Sequence, residues 1–373
     1  MNVNNDDTVS NKEWPFGAVG DKHKPCQLHT QRQNSVTTKS PYYCNPNTVS
    51  SPWSAAQYAT FQDYESQERS KTVVTGRAPA PPEKNAVRPK IEALKAAFRR
   101  KNIEIYSDQR LGSGKYSKVY PARDIAEGKM IAIKVIDTKY LSPEVRRKFL
   151  PREIECWKEL RHKYIVGMTA QYETENMIFL VMEYGNQGDL LSYVQRCGPI
   201  AEVRAGRYMA QLLSALGYMH QLKIAHRDIK LENIIMFQNC VKIADFGFVK
   251  KVENDELSTT FCGSKAYSAP ELLQGSAYDA FKADIWSFGV VGFVMSTDTM
   301  PFNENLKNTL IVEHQRNRMY SFSSRLGLSK DCTQSIEAMM TFDPERRPST
   351  EACMHLPWLK PHFKPARSTY QHE

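Results

Sequence analysis

The sequence predicts an α+β protein with two lobes, a small β-rich N-terminal lobe and a larger helical C-terminal lobe, behind a disordered N-terminal tail. The composition is typical of a globular chain, since 41% of the 373 residues are hydrophobic and 24% are charged. Short β-like runs at residues 131–133 and 178–181 come first, and longer helical patterns dominate after residue 200. Strands followed by helices favour segregated layers over alternating βαβ units.

The N-terminal segment is polar and has no apolar period. Among its first 60 residues, 23 are Asn, Gln, Ser or Thr. Such a segment buries too little apolar surface to offset the entropy of ordering it. We therefore predict a disordered polar tail over residues 1–88. A short C-terminal tail is predicted over residues 360–373.

A basic stretch follows the N-terminal tail. Residues 84–101 carry seven Lys or Arg against one acidic residue, which supplies +6 of the net charge of +9. Ile91, Leu94 and Phe98 are spaced as on one face of a helix, with basic residues between them. This pattern predicts a basic amphipathic helix or linker over residues 89–103. The helix would pack onto the next domain, bind a partner such as calmodulin, or lie on a membrane surface.

Composition and charge exclude several classes of protein. The eight cysteines are scattered with no Cys-x-x-Cys pair, which argues against a disulfide scaffold and a structural zinc site. Scattered cysteines of this kind are expected to be reduced thiols. This predicts a cytoplasmic protein, with the nucleus as an alternative. No apolar run is long enough for a membrane span, and the N-terminus has no secretory signal. Outside the basic stretch the charge is too small to predict a nucleic-acid partner.

Two features of the β-rich part suggest phosphate binding. Residues 111–119 read Leu-Gly-Ser-Gly-Lys-Tyr-Ser-Lys-Val, and glycines two positions apart let backbone amides approach phosphates closely. Lys134 ends an apolar strand and needs a charged partner when that strand is packed. Glu153 is the candidate partner, and the pair would hold the ammonium at the phosphates of a nucleotide. The alternative is a surface ion pair that contributes little to stability.

The strongest signal is a set of short motifs in a fixed order. His-Arg-Asp-Ile-Lys-Leu-Glu-Asn occupies residues 226–233, and Asp-Phe-Gly occupies residues 245–247. Ala-Pro-Glu follows at 269–271, and Asp-Ile-Trp-Ser-Phe-Gly follows at 284–289. Together these motifs resemble the protein-kinase signature, and the resemblance covers residues 104–359.

Within that family, the chain is similar to the calmodulin-dependent-kinase-like branch and to the testis-specific serine/threonine kinases. Residues 148–155, 187–191 and 259–264 carry this similarity. The resemblance implies the bilobal protein kinase fold. It also implies a serine/threonine protein kinase that transfers the γ-phosphate of ATP, with Mg²⁺, to protein substrates. A role in male germ cells, in spermatogenesis, is what the subfamily implies.

The resemblance assigns catalytic roles to residues of these motifs. Asp228 would accept the proton of the substrate hydroxyl. Lys230 would reach the γ-phosphate and balance the charge of the transition state. Lys134 and Glu153 would form the ion pair at the α- and β-phosphates. Asn233, the last residue of the 226–233 motif, is also implied as a catalytic residue.

The resemblance also assigns the metal and nucleotide sites. Asn233 and Asp245 would hold Mg²⁺, which prefers hard oxygen ligands. The nucleotide would contact the Gly-rich loop, an adenine pocket and a hinge. The residues implied for it are Leu111, Gly112, Ser113, Gly114, Lys115, Tyr116, Ser117, Lys118, Val119, Ala132, Lys134, Met182, Glu183 and Ile235.

Substrate choice is implied at three positions. Asp189 and Glu232 match positions that accept a basic residue two or three before the target, which predicts a preference for Arg-x-x-Ser/Thr. The alternative is that both acids are merely solvated. Ser264 lies in the loop that would receive the residue after the target.

Thr260 is the predicted site of activating phosphorylation. Its phosphate would pair with Arg227 and with Lys250 as a second cation. Ser258 and Thr259 are the neighbouring alternatives. An upstream activating kinase would then be a partner of the chain, beside its protein substrates.

Two residues depart from the pattern of the family. Trp157 stands one helical turn after Glu153, where a smaller aliphatic residue is common, and would either lock the helix in place or push it outward. Lys265 stands where proline is common and would alter substrate docking. The competing function is a pseudokinase or scaffold that binds nucleotide without transferring phosphate. The lysine, the catalytic aspartate and both metal ligands are present, which favours the active enzyme.

Overall fold

The computed structural model describes residues 88–114, 117–143, 145–253 and 256–363. The predicted N-terminal tail, except for its last residue, lies outside the described residues. So do residues 364–373 of the predicted C-terminal tail. Lys115 and Tyr116, which were predicted to contact the nucleotide, also lie outside them.

The β-rich lobe is one antiparallel sheet. Its strands lie in the order β1-β3-β4-β6-β5, and the short strand β2 pairs with β3. Their bounds are β1 Ile103–Ile105, β2 Gly112–Ser113, β3 Ser117–Asp124, β4 Lys129–Asp137, β5 Met168–Thr174 and β6 Met177–Glu183. Side chains alternate between the two faces of a strand. Ile131 and Ile133 of β4 lie on the same face and pack in a hydrophobic cluster with Phe98 and Phe179, which we call the outer core. Lys134 therefore points to the inner face.

Helix α1 (Arg88–Arg99) covers the outer face of this sheet. Phe98 is only 3% exposed. Its ring lies edge-on against the rings of Tyr172 and Phe179, at centroid distances of 6.0 and 5.2 Å. Leu94 packs against the same outer core. Of the three interpretations of the basic helix, the structure shows the packing one.

Phe98→Ala is expected to lower the free energy of unfolding by about 3 kcal/mol, because it removes a buried ring and leaves a cavity on the sheet. Urea unfolding of the full chain measures this difference. Arg99→Ala is the control, since Arg99 is exposed beside Phe98 and should change stability by less than about 0.5 kcal/mol. Equal midpoints for wild type and Phe98→Ala would contradict the docking of α1.

The helical lobe surrounds helix α6 (Ala280–Thr297), which is apolar on all sides and buried along most of its length. Asp279 caps its first turn, accepting from the amides of Phe281 and Lys282 at 2.8 and 3.3 Å. The helices of this lobe are α3 Leu190–Cys197, α4 Glu202–Gln221, α5 Pro270–Leu273, α6 Ala280–Thr297, α7 Asn308–Arg316, α8 Lys330–Met339 and α9 Thr350–Met354. This architecture confirms the predicted two-lobed α+β fold.

Two short two-stranded antiparallel sheets pack against the core of the helical lobe. Strand β7 (Ile224–Ala225) pairs with β10 (Lys250–Lys251), and β8 (Ile234–Met236) pairs with β9 (Val241–Ile243). Helix α2 (Leu150–Glu159) belongs to the β-rich lobe and faces them. None of the helices that the structure describes combines the length and apolar character needed to cross a membrane.

A buried ion pair ties two distant parts of the helical lobe together. The guanidinium of Arg347 donates to both carboxylate oxygens of Glu271, at 2.8 and 3.0 Å. Arg347 also donates to the carbonyls of Thr341 and Lys282, and it lies 5.1 Å from the ring centroid of Trp286. A buried pair with its remaining donors satisfied is costly to break from one side. Its role is structural, because it links Glu271 on α5 to the carbonyls of Lys282 and Thr341.

Candidate active site

An ion-pair network joins the two lobes at the cleft. The Nζ atom of Lys134 lies 2.8 Å from Glu153 Oε1 on α2 and 2.9 Å from Asp245 Oδ1. Lys134 and Glu153 are largely buried, whereas about half of the Asp245 side chain (49%) is exposed. Strand β4, helix α2 and the 245–247 motif thus converge on one ammonium group. The structure brings together three residues that are far apart in sequence.

Charge pairing sets the protonation of this network. The ammonium of Lys134 holds the pKa of Asp245 down at about 2. Burial acts to lower the pKa of Lys134, but the carboxylates of Asp245 and Glu153 outweigh it and raise that pKa. Both partners are therefore ionised at neutral pH. Asp245 also has a φ of 60°, a left-handed conformation that is uncommon outside glycine and is often found at functional sites.

Asp228 is buried and held on both carboxylate oxygens. Asn233 donates from Nδ2 to Oδ2 at 2.9 Å, and the ammonium of Lys230 lies 2.8 Å from the same oxygen. Ser264 donates to Oδ1 from its backbone nitrogen at 3.0 Å and from its hydroxyl at 3.1 Å. Lys230 in turn donates to the Ser264 hydroxyl at 2.8 Å. This arrangement fixes the orientation of a carboxylate that could accept a proton.

Asp284 on α6 anchors the backbone of the loop that carries Asp228. Its carboxylate accepts from the amides of His226 and Arg227 at 2.8 and 2.7 Å. These bonds hold Arg227 at a φ of 65°, a conformation that costs free energy and persists only where the surroundings enforce it. Gly263 is needed beside this turn, because a Cβ atom there would lie 2.5 Å from the Arg227 carbonyl oxygen.

A stack of three rings runs from helix α2 to this loop. Trp157 lies 5.2 Å from Phe246, and Phe246 lies 5.5 Å from His226, between ring centroids. Trp157 is 1% exposed, and its indole Nε1 donates to the carbonyl of Val166 at 2.7 Å. The sequence left two outcomes open for this bulky residue. The structure shows the first, since α2 is held inward with Glu153 on Lys134.

The predicted nucleotide residues lie along the inner face of the sheet and the hinge. Val119 is paired opposite Lys134, and Ala132 is paired opposite Met182. Ile235 of the helical lobe packs against the hinge, the segment of residues 183–185 after Met182. A Cβ atom on Gly185 would clash with the Cγ2 atom of Ile235. Leu111, Gly112, Ser113, Gly114, Ser117 and Lys118 form or adjoin the β2–β3 hairpin above them.

The side chain of Glu183 points away from the nucleotide site to which the sequence assigned it. Its carboxylate accepts from Lys242 Nζ at 2.7 and 2.8 Å and from the Gly167 amide at 2.8 Å. A nucleotide at the hinge is therefore left with the backbone of Glu183. Lys242 was missed in the sequence, because a lysine in a short strand gives no local signal that it pairs across the lobes.

The predicted substrate acids have partners of their own. Asp189 caps helix α3, accepting from the amide and hydroxyl of Ser192 at 2.8 and 2.7 Å. Glu232 accepts from the Tyr267 hydroxyl at 3.3 Å, and burial raises the pKa of this carboxyl. Glu304 was not predicted. Burial and the charge of Glu232 raise the pKa of Glu304, which places the two acids in one electrostatic environment.

The predicted regulatory residues lie around the loop that follows β10. Thr260 is exposed, and its carbonyl accepts from the Tyr278 hydroxyl at 2.9 Å. Arg227 donates from Nε to the Phe248 carbonyl at 2.7 Å. Lys250 lies 3.2 Å from Glu256. Arg227 thus has a hydrogen-bond partner, and Lys250 an ion-pair partner, in this loop region.

Ser258 is a poor alternative to Thr260 as a phosphoacceptor. Only 1% of its surface is exposed, and Lys250 donates to its hydroxyl at 3.4 Å. Its backbone also exchanges hydrogen bonds with Tyr278 at 2.8 and 2.9 Å. Thr259, the other neighbouring alternative, is exposed. The sequence could not show the bridge that buries Ser258 against Tyr278.

The donor set of the cleft fits Mg²⁺ and the phosphates of ATP. Asp245 offers a carboxylate to the cleft, and the Asn233 amide, whose nitrogen is engaged by Asp228, offers its oxygen. The Ala244 amide donates to the Asn233 carbonyl at 2.8 Å, which sets the two ligands side by side. Among the described residues no cluster of three or more His, Cys, Asp or Glu could hold a metal. Magnesium bound by one or two protein oxygens and substrate phosphates needs none.

Comparison with known proteins agrees with this geometry. A family model, the protein kinase domain, matches residues 105–359. Testis-specific serine/threonine-protein kinase 3 of Mus musculus is 38% identical over 252 residues, covering 67% of this chain and 93% of that protein. Testis-specific serine/threonine-protein kinase 4 of Homo sapiens is 33% identical over 279 residues, covering 70% and 84%.

The similarity extends to a second group of relatives. SNF-related serine/threonine-protein kinase of Homo sapiens is 37% identical over 259 residues, covering 68% of this chain and 33% of that longer protein. The segment matched by the family model, residues 105–359, contains every motif that forms the ion-pair network and the Asp228 loop. The chain therefore belongs to the protein kinase family and, with these relatives, to its serine/threonine kinases.

Proposed function

We propose that the chain is an active kinase that transfers the γ-phosphate of ATP, with Mg²⁺, to Ser or Thr of protein substrates. The observation that carries this proposal is the placement of Lys134 between Glu153 and Asp245. A catalytic lysine paired with the helix and a metal-ligand aspartate facing the cleft are both required for phosphoryl transfer in this family. A pseudokinase typically lacks one of these groups.

The residues of this chain divide the work of the reaction. Asp228 receives the proton of the substrate hydroxyl, and its bonds from Asn233 and Ser264 keep it aimed at that oxygen. Lys230, beside Asp228, stabilises negative charge that develops on the transferred group. Lys134 positions the nucleotide phosphates. Asp245 and Asn233 would hold Mg²⁺, which would neutralise negative charge on the phosphates.

Transfer of labelled γ-phosphate from Mg·ATP to an Arg-x-x-Ser peptide tests the proposal. Wild-type full chain is expected to label the peptide, and Asp245→Asn is expected to lose labelling because it removes a metal ligand. Nucleotide binding, measured by calorimetry without Mg²⁺, should survive the substitution. Nucleotide binding without transfer by the wild type, before and after incubation with an activating kinase, would favour the scaffold function instead.

The substrate preference is proposed at Asp189 and Glu232. Glu232 is half-buried near Tyr267, and a carboxylate in that environment gains from pairing with an arginine. A peptide series is expected to lose turnover when the upstream arginine is replaced. Equal turnover with and without that arginine would contradict the preference and leave both acids as solvated groups.

Phosphorylation of Thr260 is proposed to raise activity. The added phosphate would draw Arg227 and Lys250 to one anion and order the loop around Ser264. Thr260→Ala is expected to stay at the activity of phosphatase-treated wild type and to gain nothing from an upstream kinase. Thr259→Ala is the matched control and should still be activated. Activation of Thr260→Ala to the wild-type level would contradict the assignment.

We propose a cellular setting from the cysteines and the relatives of the chain. The scattered cysteines and the testis-specific relatives support a cytoplasmic enzyme of male germ cells, with access to the nucleus. None of the six cysteines in the described part of the chain forms a disulfide. Immunofluorescence of testis sections with cytoplasmic and nuclear markers checks the proposal.

A further inference from the structure

Lys265 carries a contact that the family pattern does not contain. Its ammonium donates to the carbonyl of Leu306 at 2.7 Å. Leu306 lies just before helix α7, so this bond joins two loops of the helical lobe. A proline at position 265, which is common in the family, has no donor to make it. The bond therefore holds the long side chain of Lys265 in a defined place.

That place adjoins the reacting groups. Ser264, the preceding residue, donates twice to Asp228. Consecutive Cα atoms are about 3.8 Å apart, so the backbone of Lys265 directly follows the residue that is hydrogen-bonded to Asp228. The proposed function assigns upstream substrate residues to Asp189 and Glu232. By the resemblance to protein kinases, the loop at Ser264 and Lys265 is where the substrate residue that follows the phosphoacceptor would lie.

The charge of Lys265 is incompletely compensated. In the part of the chain that the structure describes, no carboxylate lies within 4.0 Å of its ammonium, and Leu306 offers only a neutral oxygen. Burial lowers the pKa of Lys265, and Glu304 opposes this only in part. An ammonium has three donors. A further anion would therefore form a charge-assisted hydrogen bond at this position.

We infer that Lys265 is a specificity-determining residue that favours an acidic side chain directly after the phosphoacceptor of the substrate. The inference rests on the proposed function for the direction in which the substrate lies. It adds a downstream requirement to the upstream arginine. A preferred substrate thus carries a basic residue before the target and an acidic one after it.

Peptide binding tests the inference without needing turnover. Two peptides share an upstream arginine, carry alanine in place of the target, and differ only in aspartate or asparagine after it. Fluorescence anisotropy with the full chain and ATP should show about fivefold tighter binding of the aspartate peptide, as expected for a partly buried charge pair. Lys265→Met should abolish the difference, and Lys265→Arg should retain it.

Two further variants sharpen the test. Lys307→Met changes the same charge on an exposed neighbouring residue and should leave the preference intact. Glu304→Gln removes the acid that partly compensates Lys265 and should enlarge the preference. Equal binding of both peptides by the wild type, a preference that survives Lys265→Met, or no binding of either peptide would overturn the inference. A failure of phosphate transfer alone would overturn the proposed function and leave this result standing.

Discussion

Asp228→Asn is expected to lower the rate of phosphoryl transfer by about 10²- to 10⁴-fold, the range for loss of a positioned general base. The substitution keeps the shape of the side chain and removes its charge and its basicity. The bonds from Asn233 and Ser264 to this position show that the carboxylate is oriented in advance of substrate. Initial rates at saturating ATP and peptide measure the loss.

The control for this prediction is the same chemical change at a turn. Asp124 accepts from the amides of Ala126 and Glu127 at 3.0 and 3.1 Å at the β3–β4 turn, away from the ion-pair network. Asp124→Asn should keep wild-type turnover. Nucleotide affinity should be unchanged in both variants, which separates catalysis from binding. Turnover of Asp228→Asn within twofold of the wild type would exclude a role for this aspartate in proton transfer.

Trp157→Ala is expected to lower the free energy of unfolding by about 3–5 kcal/mol, as found for large buried aromatic residues. It should also lower turnover strongly, because the stack on Phe246 holds helix α2 and with it Glu153. Urea unfolding and initial rates on the same preparation measure both effects. A variant with wild-type turnover would show that α2 is held by other contacts.

Trp157→Phe separates the hydrogen bond from the ring. It keeps an aromatic side chain against Phe246 and leaves the buried carbonyl of Val166 without its donor, which costs about 1–3 kcal/mol. Trp358→Phe is the matched control, because Trp358 is 6% exposed and its indole nitrogen has no partner among the described residues. The cost at position 358 should therefore exclude the hydrogen-bond contribution. Equal costs at both positions would contradict the role of the Val166 bond.

The catalytic groups were predictable because their motifs are local in sequence. The spacing of Asp228, Lys230 and Asn233 within one eight-residue motif lets a single turn of chain present all three. The pair of Lys134 and Glu153 was predictable for another reason. A lysine at the end of a packed strand requires a counter-charge. Glu153 is one of the few acidic residues on the next helix, α2.

Other features depend on residues that meet only after folding. The orientation of Trp157 depends on Val166 and Phe246, which approach it from a loop and from the helical lobe. The burial of Ser258 depends on its bridge to Tyr278. Hydrophobic periodicity placed Phe98 on one face of a helix. It could not show that this face packs on the sheet of the β-rich lobe.

Composition and the order of strand-like and helical segments were enough to predict the two-lobed fold class. The kinase family and the catalytic candidates came from the resemblance of short motifs to those of protein kinases. Three contacts became visible in the folded chain alone: Trp157 locks α2 inward, the Glu183 carboxylate faces Lys242, and Lys265 reaches Leu306. These contacts join side chains across separate elements, so their geometry depends on how the elements pack rather than on their order along the chain.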